Sequence, residues 1–217
     1  MESPPHDDSP VEVYQLRALF RHISPIIWRR ILVRNDSTIA DLHYTLQIAM
    51  GWSDSHLHQF IIYGKKYGIH QPGGLWFSDD PYQIPLKLFN FRLKERFLYE
   101  YNFTDNWQLE IRVEKHISYD PKKTYPVCTG GARAAPPEEC GGPWAFMALK
   151  QKYSLRYSEE RLVDICEQEE GEDSSEELHA LIYWLHAERF DRLAVNRILK
   201  QYASGDEAWR DSLGELP

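Results

Sequence analysis

The chain has 217 residues, 42% hydrophobic and 13% aromatic, with seven Trp and thirteen Tyr, which suits one packed domain and excludes a disordered polymer. Its net charge of −8 is uneven: residues 1–157 carry 19 Lys+Arg against 17 Asp+Glu, and residues 158–217 carry 6 against 16. The acidity therefore sits in the last third, and nucleic-acid binding is expected to be weak at most for the chain as a whole.

Residues 1–10 are polar and acidic with three prolines, which predicts a disordered tail and none of the basic start or apolar core of a secretion signal. No apolar run nears the ~18 residues of a membrane span. Three cysteines, Cys128, Cys140 and Cys166, are an odd count that suits reduced thiols. The expectation is a cytoplasmic protein with no membrane partner.

Residues 11–33 alternate apolar and polar on both sides of Ser24-Pro25 and predict a β-hairpin. A helix follows, with Thr38 as N-cap, Asp41 at its third position and Gly51 closing it; Ile39, Leu42, Leu46 and Ala49 form its apolar stripe. Residues 56–63 predict a third strand. Gln71-Pro72-Gly73-Gly74 and Asp79-Asp80-Pro81 are turn clusters, and residues 97–103 and 109–113 predict a second hairpin around Thr104-Asp105-Asn106.

Residues 125–143 read as a long Pro/Gly-rich loop, followed by helices at 144–150, 158–167 and 175–187, the last with a Ser174/Glu177 capping box. A further helix starting at Asp191 buries Val195, Ile198 and Leu199, and the seven carboxylates from Glu167 to Glu177 read as a solvated linker. The fold class is α+β: a β-grasp-like mixed sheet with one packed helix over residues 11–143, then C-terminal helices over 144–217, packed on or appended to that core.

Phosphate-loop, nucleophile-elbow, His-Glu-x-x-His and Cys-x-x-Cys signatures are absent. His56 and His58, two apart on a predicted strand, would share a face, and with His43, Cys128 and Cys140 a mixed His/Cys zinc site can be drawn; the plain alternative is a polar strand face. His43 reads as a boundary residue of the helix stripe. Asp105 reads as a turn residue, or as a catalytic carboxylate partnered by Glu110 or Glu114. In the long loop, Arg133, Pro136, Pro137, Glu138, Glu139, Gly141 and Gly142 form either an anion-holding loop at a helix N-terminus or a structural clip. Arg17, Arg21, Arg29 and Arg30 are candidate phosphate contacts, or a solubilising face.

Ile27-Trp28-Arg29-Arg30, Asp41-Leu42-His43, Met50-Gly51-Trp52 and His56-Leu57-His58-x-Phe60 together resemble the plasmid Ri open-reading-frame-three family, also described as resolvase-like passengers of insertion elements. The likeness continues through Asp105-x-Trp107, Tyr125-Pro126-x-Cys128, Arg133-Ala134-x-Pro136-Pro137-Glu138-Glu139-Cys140-Gly141-Gly142 and Phe190-Asp191 to Asn196, and spans roughly residues 12–200. It implies an α+β fold and association with mobile elements, and no established activity. The family often has Cys at Ala135, His at Leu109 and Asp at Asn102, so this chain lacks several groups of any site its relatives hold there. The expected function is a non-enzymatic protein-interaction module of mobile elements with a protein partner and no cofactor. The alternatives are a zinc-binding protein or metal-dependent enzyme, and a nucleic-acid accessory factor.

Overall fold

In a computed structural model, which describes residues 10–70, 74–167 and 174–214, the first hairpin pairs β1 (Glu12–Phe20) with β2 (Trp28–Arg34). Buried Val13, Leu16, Ala18 and Phe20 alternate along β1 with half-exposed Gln15, Arg17 and Leu19, as a one-sided sheet requires. Helix α1 (Ile39–Met50) forms with the expected caps: Thr38 and Asp41 exchange hydrogen bonds in a capping box, and Gly51 turns left-handed at φ 73°. Its Leu42 and Leu46 are fully buried over the sheet.

The remaining strands are β3 (His58–Ile62), β4 (Lys65–Tyr67), β5 (Arg96–Tyr101), β6 (Trp107–Ser118) and β7 (Val127–Ala132). They complete a seven-stranded sheet in the order β4-β3-β5-β6-β1-β2-β7. The α+β class and the second hairpin, β5–β6, follow the sequence. One respect differs: β1 runs opposite to both neighbours and every other pair is antiparallel too, so the sheet is antiparallel, not mixed.

Strand β7 also replaces six of the nineteen residues of the expected loop. Gly130 and Gly131 hide it from propensity, yet Gly131 is required: a Cβ there would lie 2.4 Å from the Phe190 ring and 3.0 Å from Arg29 Cδ.

Arg29 explains that crowding. It is 2% exposed and has the phosphate-contact role excluded by burial: its Nε donates to Ala49 O at 2.8 Å, and its Nη1 donates to Trp28 O and Ala132 O. The Phe190 ring covers it at 3.8 Å. Ala49 O belongs to the last turn of α1, which carries no basic residue of its own, so Arg29 supplies the missing donor and cation from the sheet. Burial lowers its pKa to about 10, leaving it charged at neutral pH.

Four helices follow: α2 (Gly142–Lys152), α3 (Leu155–Glu167), α4 (Ser174–His186) and α5 (Arg192–Ser204). Asp191 caps α5, which buries Val195, Ile198 and Leu199 in the main core as the sequence predicts. Asn196 of α5 accepts from Cys128 N at 2.7 Å and donates to Cys128 O at 2.8 Å, closing the β7 edge as a neighbouring strand would. The opposite edge, β4, is three residues long and presents exposed Lys65 and Lys66. No helix among the described residues is long and apolar enough to cross a membrane. The expected tail at residues 1–9, the turn residues Gln71, Pro72 and Gly73, the acidic run at 168–173, and the side chains of Cys166 and Ser174 lie outside the described residues.

Leu46→Ala is expected to cost about 2–5 kcal/mol, read by urea unfolding. Arg29→Leu keeps volume but strands buried carbonyls on α1 and β7, and is expected to cost about 2–5 kcal/mol in the same assay.

Candidate metal centre

The residues that meet are His43, Asp54 and His58. One ligand atom from each lies within 4.8 Å of the others, the only such His/Cys/Asp/Glu group among the described residues. His43 comes from the middle of α1 and His58 from the first position of β3; both are essentially buried. The turn after Gly51 folds Asp54 back toward the helix at φ 59°, a left-handed conformation that aspartate tolerates. Its N–H donates to Gln47 Oε1 at 3.2 Å.

A closed network surrounds His43. Gln47 Nε2 donates to the Tyr99 hydroxyl at 2.7 Å, Tyr99 OH lies 2.9 Å from His43 Nδ1, and His43 Nε2 lies 2.7 Å from Asp54 Oδ1. The consistent assignment has Tyr99 donating to Nδ1 and a neutral His43 donating from Nε2 to the Asp54 carboxylate. Burial alone lowers the His43 pKa to about 3. The His43 and His58 rings stack, centroids 3.5 Å apart and 12° between planes. His58 Nε2 accepts from Ile69 N at 3.2 Å, while its Nδ1 is buried with no hydrogen-bond partner. Burial first, and then His43, hold the His58 pKa well below the usual range, against the pull of Asp54. Burial raises Asp54 to about 6, with His58 and Arg210 opposing.

Two imidazoles and a carboxylate are a three-donor set that suits zinc or another divalent transition metal and leaves room for further ligands. The outer nitrogens both accept, His43 Nδ1 from Tyr99 and His58 Nε2 from Ile69, which leaves the ring protons on His43 Nε2 and His58 Nδ1, so metal binding requires a change of tautomer in both rings.

The sequence-predicted site is distributed otherwise. His56 precedes β3, so it does not share a strand face with His58; it packs edge-on against Tyr101 with Nε2 3.4 Å from Glu139. Cys128 is on the far edge strand, five strand steps from β3, on the order of 20 Å along the sheet. Its thiol donates to Gly130 O. Cys140 is a half-buried free thiol whose pKa burial, and secondarily Asp105, raise to about 12. His43, in the sequence the weaker donor of the drawn site and a boundary residue of the helix stripe, is central.

The loop resolves as a clip. Glu138 O accepts from Asn102 Nδ2 and Trp107 Nε1, its carboxylate accepts from Tyr101 OH at 2.6 Å, and Pro136 O accepts from Trp52 Nε1. Pro137 lies beside them along a cleft with Trp52 and Tyr183. Asp105 accepts from Gly141 N, so its own carboxylate occupies the α2 N-terminus where an anion was anticipated. Gly142 is obligatory, since a Cβ would fall 2.2 Å from Asp105 O. Arg133 pairs with Glu188. Glu110 and Glu114 pair with Arg96 and Arg30 and form no dyad with Asp105.

The family described as plasmid pRiA4b ORF-3-like protein matches residues 12–197. The chain belongs to this family. Among ORF-3-like relatives, the uncharacterised protein y4hQ of Sinorhizobium fredii is 30% identical over 138 residues, 62% of this chain and 69% of that protein. A crystal structure of MM3350, a protein of unknown function from Methanosarcina mazei Go1, is 31% identical with a TM-score of 0.62, covering 85% of this chain and 98% of that one. The ORF-3-like motifs noted in the sequence now have places: Arg29, Trp52, Asp105, Glu138 and Asn196 each bridge two elements.

Below the unfolded histidine pKa near 6.5, the unfolded chain takes up protons at His43 and His58 that the folded chain refuses, His43 down to about pH 3 and His58 well below its usual range, so stability falls on acidification. Asp54 opposes this between its folded value of about 6 and its unfolded value of 3.8, where the folded chain gains one proton. With two protons against one, stability is expected to fall by up to about 1.4 kcal/mol per unit from pH 6 to 4. Asp54→Asn should steepen that slope and His43→Gln should flatten it, both read from urea midpoints against pH.

Proposed function

We propose that this chain is a metal-binding protein whose centre is His43, Asp54 and His58. The observation that carries the reading is His58 Nδ1, a buried ring nitrogen with no partner, beside a carboxylate and a second imidazole. A buried polar atom left unsatisfied costs about 1–3 kcal/mol, and a shared cation relieves that cost at His58 while drawing Asp54 fully into its ionised form. Loading replaces the His43–Asp54 hydrogen bond and moves the proton of each ring to its far nitrogen: His43 Nδ1 would then donate to the Tyr99 hydroxyl, and Ile69 N–H must release His58 Nε2 so that the Nδ1 lone pair is freed. The stacked rings must also tilt, because a ligand's lone pair lies in its ring plane.

The ion would tie α1 to β3 and stiffen the sheet. That role fits the broader proposal taken from the family resemblance, a non-enzymatic interaction module of mobile elements.

Dialysis against zinc or cobalt(II) followed by elemental analysis is expected to find one ion per chain, with a cobalt visible band and a raised Tm. At metal 100-fold above Kd the stabilisation would be about 2.7 kcal/mol. His58→Gln and Asp54→Asn should lose the ion, while exposed His70→Gln should keep it. A protein that retains no ion and shows no Tm shift with zinc, cobalt or manganese would leave the cluster as a hydrogen-bonded network only.

A further inference from the structure

The register of the sheet aligns four arginines in one row. Arg96 on β5 faces Arg112 on β6, Arg112 faces Arg17 on β1, and Arg17 faces Arg30 on β2. Arg17, Arg30 and Arg112 each lie between buried neighbours on their strands, Arg96 opens β5 just before buried Phe97, and all four are at least partly exposed, so they point away from α1 to the open face. Like charges directly opposite across strands destabilise a sheet, and here three successive pairings are alike. The fold gains nothing from that arrangement on its own.

The direct ion pairs of the row fall at its ends, while Glu114 also attracts the inner Arg17 at longer range. Arg30 is held by Glu114 in a two-pronged pair at 2.6 and 3.1 Å, and Arg96 by Glu110 at 3.0 Å. Among the described residues, the inner two, Arg17 and Arg112, have no carboxylate within ion-pair distance. Arg17 lies over the Trp28 ring at 4.7 Å, which holds its guanidinium plane against the sheet, and Arg21 extends the basic side beyond the end of β1. The strands of the row also carry Glu12, Glu100, Glu110 and Glu114, of which Glu114 and Glu110 are engaged by Arg30 and Arg96 and Glu100 accepts from Gln59 and Gln108.

We infer that this face docks the backbone of single-stranded nucleic acid, with Arg17 and Arg112 as its phosphate contacts. Neighbouring guanidiniums at ~4.8 Å strand spacing can engage successive phosphates of one strand. The row is about 14 Å wide over its four strands, too broad to enter a B-form major groove of about 12 Å, so a flat single strand is the occupant that fits. Sheet faces that combine cations with an aromatic side chain bind single strands in this manner without base readout. Arg29, from the sequence-predicted basic set, takes no part.

The test is fluorescence anisotropy of a labelled oligothymidylate of about 20 nucleotides with the full chain, metal-free and zinc-loaded. Binding is expected at low salt, falling with a log–log salt slope of about −1.4 for two phosphates. Arg17→Gln/Arg112→Gln should weaken it tenfold or more, with Tm unchanged or raised because like-charge crowding is relieved. Blunt duplex of the same length should bind more weakly than the single strand. No measurable binding by the wild type, equal binding by the double variant, or equal affinity for poly-glutamate would overturn the proposal, the last by pointing to an acidic protein partner. Binding that is the same with and without zinc would leave the metal reading untouched, so the two proposals fail separately.

Discussion

One buried guanidinium organises the join between sheet and helices. Arg29 reaches from β2 under the C-terminus of α1, bonds the Ala49 carbonyl there and the Ala132 carbonyl on β7, and is roofed by Phe190 just before α5. No carboxylate takes part in those bonds. The charge is stabilised by carbonyl dipoles, the end of a helix and an aromatic face, which together keep it ionised despite desolvation. Because three elements converge on this side chain, β7 must approach closely enough that Gly131 can carry no side chain. The position of α1, and hence of His43, depends on this anchor.

A second constraint works from the other end of α1. The Gly51–Trp52 turn sends the chain back so that Asp54 meets His43, while Trp52 fastens the Pro136–Glu138 segment over the sheet end. Glu138 then gathers Tyr101, Asn102 and Trp107. The polar cluster and the clip share this turn: Asp54 faces His43, while the neighbouring Ser53 N donates to Glu138. Rigidity at this corner comes from backbone carbonyls accepting side-chain donors, which needs no regular secondary structure.

Much of the architecture was legible because it is written in local chemistry. The Thr38/Asp41 box, Gly51 and the alternation of β1, β2, β5 and β6 each follow from neighbours a few residues apart. What escaped the sequence is non-local. Strand β7 was hidden because Gly130 and Gly131 are poor strand formers, and their reason lies in Phe190, about sixty residues away. His58 was recognised as a donor but matched with the wrong partners: spacing suggested His56, whereas the turn at Asp54 and the stacking on His43 decide the set. Helix periodicity offered one signal for His43, since residues 43, 47 and 50 fall on a common stripe and all three are buried. The arginine row needs the β1–β6 register, which no local pattern encodes.

The two sheet edges limit how this molecule can meet others. At β7 the Asn196 amide already occupies the peptide donor and acceptor of Cys128, and at β4 the strand is too short and too cationic to template a neighbour. Recruitment by strand addition, the mode in which an extended peptide lengthens a sheet, is therefore blocked at both ends. A partner meeting the broad face instead would be recognised by side chains alone, which can drift by surface substitution while the hydrogen-bonded frame beneath stays fixed.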